Sequence, residues 1–338
     1  MKISNRKITK SNLYFIVEEA QANQGSVSVA LEMIEKAKYA GADAIEFQLF
    51  ITDDFYIKTH RAYERYKANE FSLEEIQKLI DYAKSFEIDF IATPLSHNLV
   101  DDLKRMGCDG FNINASDINN IAMIEKVAQT GLPFFISVPL ASEKEIDWVI
   151  SQLNRLGTDN YTFLHGQHTM ASGEEGVQPQ HTNLGYINEL KNRYDKPIGY
   201  IDHSPFYWMP SSAVAAGANI ITKHLILDRS KKGPDWMVAL EPDEMKLAVQ
   251  YAKEMAKSIY QTKKTLAPGE QIDIAIMRRS VVSNRDIKKG EIAKIEDFVF
   301  KRPGVGIPPS EVYSIIGKEF VQDIDIDEVI KEDYLKQK

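Results

Sequence analysis

The chain is 338 residues long and 43% hydrophobic, which is enough for one large folded domain and a second, smaller one. Its formal net charge of −8 argues against a nucleic-acid-binding protein, because neutralising a phosphate backbone requires a basic surface. The sequence has no run of about 18 uninterrupted apolar residues and no apolar signal-peptide core near its start, so we expect a cytoplasmic protein that does not enter a membrane. A single cysteine, Cys108, excludes a disulfide within the chain.

Eight short apolar runs, rich in β-branched and aromatic residues, recur along the chain, and each precedes a segment able to form a helix. The runs lie at residues 14–19, 44–50, 89–93, 110–115, 133–138, 161–166, 197–202 and 219–224. Eight strand-helix units in series predict an α/β protein with a (β/α)8 barrel. We assign residues 1–261 to this barrel, close to the roughly 250 residues typical of the fold.

The remaining residues have a different pattern. Residues 262–271 contain Lys-Lys-Thr-Leu-Ala-Pro-Gly-Glu, which should end the preceding helix and form a linker. Short β-like pieces separated by turn residues follow, with a helix expected at 309–316. Residues 272–338 are therefore predicted to form a small β-rich domain.

In a (β/α)8 barrel the active site lies at the C-terminal ends of the strands, because the loops that follow them converge on one rim. Amides, hydroxyls and imidazoles at these ends suit the hydroxyl and acetamido groups of a sugar, since they offer donors and acceptors without net charge. Asp202 could orient a ligand or could be a structural carboxylate. The predicted substrate-binding residues at this rim are Gln48, Thr93, Asn112, Asn114, His165, Gln167, His168 and Lys223.

Two histidines, His203 and His224, end the last two runs, so both imidazoles could face one cavity. Neutral histidine nitrogens bind first-row divalent metals, and a pair of them can hold such an ion. The alternative is that both are buried histidines with ordinary hydrogen bonds.

Several motifs point to one family. Gly41-Ala-Asp-Ala-Ile-Glu-Phe-Gln48 ends the second run, and Pro197-Ile-Gly-Tyr-Ile-Asp-His203 and Lys223-His224 end the last two. The tail contains Arg302-Pro-Gly-Val-Gly-Ile307. With these motifs the chain resembles the sialic acid (N-acetylneuraminate) synthase family, which condenses phosphoenolpyruvate with an N-acylated amino sugar. The tail resembles the antifreeze-like (SAF) domain of those enzymes.

The resemblance implies roles for individual residues. On an ungapped alignment Glu18 is the family's catalytic glutamate, whereas a one-residue gap would give that place to Glu19. His203 and His224 correspond to the pair that holds manganese, or magnesium, to polarise the sugar's carbonyl. The resemblance further implies a homodimer in which the small domain covers the partner's barrel, so that Arg302 contacts the sugar in trans; Arg302 could instead support a Pro-Gly turn.

Two lysines of the family pattern are missing, since Glu46 and Asn112 stand in their places. Phosphoenolpyruvate carries a carboxylate and a phosphate of about −1.5 to −2 charge. A lysine about 5 Å away would attract each unit of that charge by about 3 kcal/mol at an effective dielectric near 20, and a glutamate reverses the sign. Met170 also departs, since a tyrosine is expected there.

Three functions remain open from the sequence. The first is the family reaction, a metal-dependent condensation of phosphoenolpyruvate or a related three-carbon enol donor with an N-acyl amino sugar. The second is a metal-dependent sugar isomerase, epimerase or lyase that uses Glu46 to move a proton and needs no phosphoenolpyruvate. The third is a sugar-binding or scaffolding protein without catalysis. Glu46 could also simply pair with Lys223 or an arginine.

Overall fold

The computed structural model describes residues 1–169, 175–260 and 263–336. The chain divides into two compact units, Met1–Gln261 and Thr262–Lys338. Met170, where the family pattern has a tyrosine, and residues 171–174 lie outside the described residues. No described helix is both long enough and apolar enough to cross a membrane.

The first unit is a closed barrel of eight parallel strands, in which the last strand, β10, pairs with β3 and the others pair in chain order. This confirms the predicted α/β barrel, and the observed strands differ from the predicted runs by at most two residues at either end. A two-stranded hairpin precedes the barrel. The strands are β1 Lys2–Ile3, β2 Arg6–Lys7, β3 Tyr14–Glu18, β4 Ala44–Leu49, β5 Asp89–Pro94, β6 Gly110–Ile113, β7 Phe134–Ser137, β8 Tyr161–His165, β9 Gly199–Asp202 and β10 Ile220–His224.

Helices surround the barrel, and common capping residues mark where they begin and end. Ser72 and Ser142 each form a capping box at a helix start, and Gly41 ends the first helix in the left-handed conformation at φ 82°. The helices are α1 Val27–Ala40, α2 Thr52–Phe55, α3 Tyr63–Asn69, α4 Leu73–Ser85, α5 Val100–Met106, α6 Ile121–Gln129, α7 Glu143–Arg155, α8 Tyr186–Tyr194, α9 Met209–Ala215 and α10 Pro242–Ile259.

Side chains along each strand alternate between the barrel interior and the helix layer. Ile16, Ala44 and Ile220 belong to a buried interior cluster, whereas Phe15 and Ile45 pack in the separate cluster under the helices. Ile3 and Ile8, at the ends of the N-terminal hairpin, join the interior cluster. This alternation decides which polar residues at the strand ends face the barrel centre.

The long segment 52–71 after β4 contains the two short helices α2 and α3. Its aromatic side chains contact one another: the Tyr56 and Tyr66 ring centroids are 4.8 Å apart, and those of Tyr56 and His60 are 4.4 Å apart. Tyr66 also packs on Phe50 at the end of β4, with centroids 4.9 Å apart. The segment therefore packs onto the rim through its own aromatic cluster.

The second unit has its own buried core around an antiparallel pair, β11 Ser280–Ser283 and β12 Phe298–Lys301. Helix α11, Glu270–Met277, begins inside the segment predicted as a linker. The helix expected at 309–316 is a short 3-10 turn followed by α12, Val312–Ile315. Arg302 follows β12 and is exposed.

Candidate active site

A ring of polar side chains lines the C-terminal mouth of the barrel. Along each strand they continue the alternating set of positions that faces the barrel interior, either within the strand or at the residue just after it. All but Gln48 are buried. This ring, called the polar ring below, consists of Glu18, Glu46, Gln48, Thr93, Asn112, Ser137, His203 and His224.

On one side of the polar ring, Glu46 accepts two hydrogen bonds through the same oxygen. Thr93 Oγ1 donates to Glu46 Oε1 at 2.5 Å, and Asn112 Nδ2 donates to it at 2.6 Å. Ser137 Oγ in turn donates to Asn112 Oδ1 at 3.1 Å. Glu46 Oε2 is buried and has no hydrogen-bond partner among the described residues. The two residues that stand in place of the family's lysines are thus bonded directly to each other.

Burial raises the pKa of Glu46 to about 8, and the nearby charge of Glu18 adds to this effect. The hydrogen bonds from Thr93 and Asn112 and the charge of His224 act in the opposite direction but are outweighed. Glu46 forms no ion pair among the described residues, so the interpretation that it pairs with Lys223 or an arginine is not what the structure shows. Its carboxyl is mostly protonated at neutral pH.

On the other side of the polar ring, Glu18 lies between Gln48 and His224. Gln48 Nε2 donates to Glu18 Oε1 at 2.7 Å, and Glu18 Oε2 lies 3.3 Å from His224 Nδ1. Burial alone would raise the pKa of Glu18, but the adjacent His224 brings it below the ordinary value. Burial alone would likewise lower the pKa of His224, but Glu18 raises it to about 9. The two groups therefore form a buried ion pair.

His203 is held in one orientation. Its Nδ1 lies 2.7 Å from the Gln167 carbonyl oxygen, which requires Nδ1 to carry the proton and leaves Nε2 with a free lone pair. Burial, followed by the charge of His224, lowers the pKa of His203 well below its ordinary range. Its ring centroid lies 5.0 Å from that of His224 and 4.9 Å from that of His168. His203 is thus neutral and oriented as a metal ligand would be.

The side chains at the barrel mouth provide some, but not all, of the ligands that a divalent metal needs. The described residues contain no cluster of three or more ready-made ligands. His203 and His224 lie side by side, and Glu18 Oε2 lies 3.3 Å from His224 Nδ1. An ion held by the two imidazoles would displace the proton of His224 and take its other ligands from water, substrate or Glu18.

Three predicted site residues lie at the strand positions that face the helix layer rather than the barrel interior: His165, Asp202 and Lys223. Lys223 Nζ lies 2.9 Å from Asp202 Oδ2, both side chains are fully buried, and Lys223 also donates to the Ser204 carbonyl. His165 Nε2 lies 3.0 Å from the Asn183 carbonyl oxygen. This placement favours the structural role for Asp202 and gives Lys223 a partner away from the polar ring.

The other predicted residues are more scattered. Asn114 accepts a hydrogen bond from the Ser116 amide at 3.0 Å and so caps a local turn. Gln167 contributes its main-chain carbonyl to His203, and His168 adds a third imidazole above the pair. Arg302 belongs to the second unit, and its contact with a sugar stays a prediction.

Some residues of the site were missed. Asp235, in the loop after β10, interacts electrostatically with His224 and Glu18; burial raises its pKa, while the charge of His224 acts in the opposite direction. The Gly233-Pro234-Asp235 triplet in this loop is the sequence signal that could have identified it. Gln21, just after β3, is another: its Nε2 donates to Gln48 Oε1 at 2.9 Å and so supports the polar ring.

The model of the NeuB family matches residues 33–264, which is more than half of the chain. The chain belongs to the NeuB family. The SAF domain model matches residues 278–336, which confirms the antifreeze-like domain predicted from the tail. This NeuB-family protein is an N-acetylneuraminate-synthase-like enzyme, as the sequence motifs predicted.

Relatives of this NeuB-family protein match it over nearly their whole length. It is 35% identical to an uncharacterized protein of Methanocaldococcus jannaschii over 98% of this chain and 97% of the relative. It is 32% identical to the N,N'-diacetyllegionaminic acid synthase of Legionella pneumophila, covering 93% and 94%. The crystal structure of an N-acetylneuraminic acid synthetase from Leptospira borgpetersenii in complex with citrate superposes with a TM-score of 0.75 at 31% identity, covering 81% and 94%.

The raised pKa of Glu46 predicts a pH-dependent stability. Because the folded protein holds this proton up to about pH 8 while an unfolded glutamate releases it near 4.5, stability should fall as pH rises through this window. Glu46→Gln keeps an oxygen for Thr93 and Asn112 but cannot ionise. In urea unfolding, we expect the free energy of unfolding of the wild type to fall between pH 5 and pH 9 by at least about 2 kcal/mol more than that of the variant.

The matched control for this comparison is Glu74→Gln, at an exposed carboxyl on α4. It should leave the difference between the two pH values unchanged. If Glu46→Gln follows the wild type at both pH values, Glu46 does not hold a proton in the folded protein.

Proposed function

We propose that this enzyme joins a three-carbon enol donor, phosphoenolpyruvate or a related compound, to an N-acyl amino sugar in a metal-dependent condensation that makes a sialic-acid-type keto acid. The observation that carries the proposal is the buried group of Glu18, His203 and His224 at the barrel mouth. The relatives' names support the product class, since they include synthases of legionaminic and pseudaminic acids.

In this proposal each side chain has one task. A divalent ion, manganese or magnesium, held by His203 and His224, would supply Lewis acidity for the sugar's carbonyl. Glu18, ionised at neutral pH, would orient the attacking group or accept its proton. The amides of Gln48 and Gln21 would bind hydroxyl and acetamido groups of the sugar.

We further infer a homodimer in which Arg302 of the second unit reaches the sugar in the partner's barrel. Its exposure at the end of β12 leaves the guanidinium available for such a contact. A solution mass twice that of the 38.4 kDa chain would agree with this assembly.

The test is an assay with purified protein, Mn²⁺ or Mg²⁺, and a panel of mono- and di-N-acylated amino hexoses. Each sugar is offered with phosphoenolpyruvate and, separately, with pyruvate, and product masses are recorded. A sugar-dependent product with the mass of the condensed keto acid supports the proposal. Sugar binding with no product from either donor, while the metal remains bound, would contradict it and favour a sugar-binding protein.

A further inference from the structure

The side of the barrel mouth around Glu46 lacks the positive charge that a phosphate ester needs. The side chains bonded to Glu46 are Thr93 and Asn112, both neutral, and no described lysine or arginine forms a hydrogen bond or an ion pair with any of the three. Lys223 faces the helix layer and is paired with Asp202. Phosphate sites in proteins usually contain arginine or lysine, because a dianion is costly to desolvate without compensating charge.

The arginines of the loops after β4 and β10 make their described contacts with groups other than Glu46, Thr93 and Asn112. Arg229, after β10, is paired with Glu244. Arg65 of α3 is exposed, with its guanidinium 5.4 Å from the Tyr66 ring centroid, and its charge acts on Asp235. Residues 170–174 are Met-Ala-Ser-Gly-Glu and contain no basic side chain. A three-carbon donor that lies against Glu46 is therefore better matched as a monoanion than as a phosphate ester.

Glu46 itself is arranged to exchange a proton with a ligand. Its Oε1 is fixed by donors from two neighbouring strands, Thr93 on β5 and Asn112 on β6, while Oε2 is fully buried and unpartnered within the described chain. A buried carboxylate oxygen without a donor is costly to leave unsatisfied, so it indicates a group that meets a hydrogen of the ligand. The second hydrogen of the Asn112 amide remains available for the donor's carboxylate.

We propose that the donor is pyruvate and that Glu46 is the base that removes a proton from its methyl carbon. This inference rests on the proposed function, because it names the donor for the same condensation. It also explains why Glu46 and Asn112 are bonded to each other, since together they present one base and one amide donor to a small keto acid.

The chemistry balances without phosphate or water. In its ionised form, Glu46 takes a proton from the pyruvate methyl carbon through Oε2. The electron pair of that C–H bond forms the carbon-carbon double bond of the enolate, and the π pair of the keto group moves onto its oxygen. The enolate carbon then adds to the aldehyde carbon of the open-chain sugar, which forms the new bond. The aldehyde oxygen receives the proton from Glu46, so the carboxylate is restored and no group leaves.

The charged groups that face Glu46 agree with this task. Glu18 on β3 and His224 on β10 act on it with opposite signs, and burial adds to the effect of Glu18. Burial makes the Glu46 carboxylate more basic than that of an ordinary glutamate, which suits a general base.

The test follows the methyl hydrogens of pyruvate in D₂O with Mg²⁺ and no sugar. We expect the wild-type enzyme to exchange them for deuterium, as seen by mass spectrometry, and we expect Glu46→Gln to lower the rate at least 100-fold. The variant's melting curve and Mg²⁺ affinity show whether it is folded and holds metal. Glu74→Gln serves as the control and should exchange at the wild-type rate.

The outcomes separate this inference from the proposed function. Pyruvate exchange, with a condensed product from pyruvate and no phosphate requirement, supports both. A product formed from phosphoenolpyruvate with phosphate release, together with no pyruvate exchange, overturns the pyruvate inference and leaves the proposed function intact. Exchange that is unchanged in Glu46→Gln overturns the assignment of Glu46.

Discussion

Replacing Lys223 with methionine is expected to lower the free energy of unfolding by about 3–5 kcal/mol, because it leaves the buried carboxylate of Asp202 without its partner. The two side chains are fully buried and 2.9 Å apart, between the barrel and the helix layer. Methionine fills a similar volume, so the loss reports the uncompensated charge rather than a cavity. Urea unfolding at pH 7 measures it.

Two further variants make this test specific. Lys223→Met combined with Asp202→Asn removes both charges and keeps an oxygen for the Ser204 amide, which donates to Asp202 Oδ1 at 2.9 Å. We expect it to recover most of the lost stability. Lys126→Met breaks a largely exposed pair with Asp101 and should cost no more than about 1 kcal/mol. Equal losses for Lys126→Met and Lys223→Met would contradict the buried-pair account.

Replacing His203 with alanine should weaken Mn²⁺ binding by more than the roughly 10–100-fold that loss of an outer-shell partner costs, because it removes one of two protein nitrogens. The Gln167 carbonyl already fixes the tautomer of His203, so alanine also removes a ligand that is oriented before the ion arrives. Isothermal titration with Mn²⁺ measures the change.

The control is His97→Ala, an exposed imidazole in the turn after β5. It changes the histidine count by the same amount and should leave Mn²⁺ affinity at the wild-type value. Unchanged affinity in His203→Ala would show that the ion binds elsewhere or that the two histidines serve only as buried hydrogen-bonding groups.

The barrel could be predicted because its eight strands are short, apolar and regularly separated by helical segments. The local signals agreed with the tertiary structure: a β-branched run, a capped helix and a glycine such as Gly41 at the helix end. The prediction was weakest where packing decides the conformation. Segment 52–71 forms α2 and α3, and their aromatic side chains hold them against the rim.

The site was predicted by position along the chain but not by orientation. Every polar residue at a strand end was a candidate, yet Asp202 and Lys223 face the helix layer while His203 and His224 face the interior. The strands of a buried parallel sheet are apolar on both faces, so the sequence does not reveal which parity points inward. Only the closed barrel, with its separate interior cluster, settles the parity.

The local environment of Glu46 also required the structure. The sequence showed a carboxyl where a lysine is expected, but not that one of its oxygens is bound by Thr93 and Asn112 while the other is unpartnered among the described residues. These partners come from the next two strands, 47 and 66 residues further along the chain. Such contacts depend on strand order and register, which a single sequence does not provide.

The N-terminal hairpin makes the barrel a pocket with a single opening. Ile3 and Ile8 pack with Tyr14 and Ile16 beneath the polar ring, so the interior is solid below the site. Reactants must therefore enter and leave through the same mouth. Under the proposed function, a three-carbon donor bound against Glu46 would have to arrive before the sugar, and a sugar that bound first would block its way. Compulsory-order kinetics, with inhibition at high sugar concentration, follow from this closed floor.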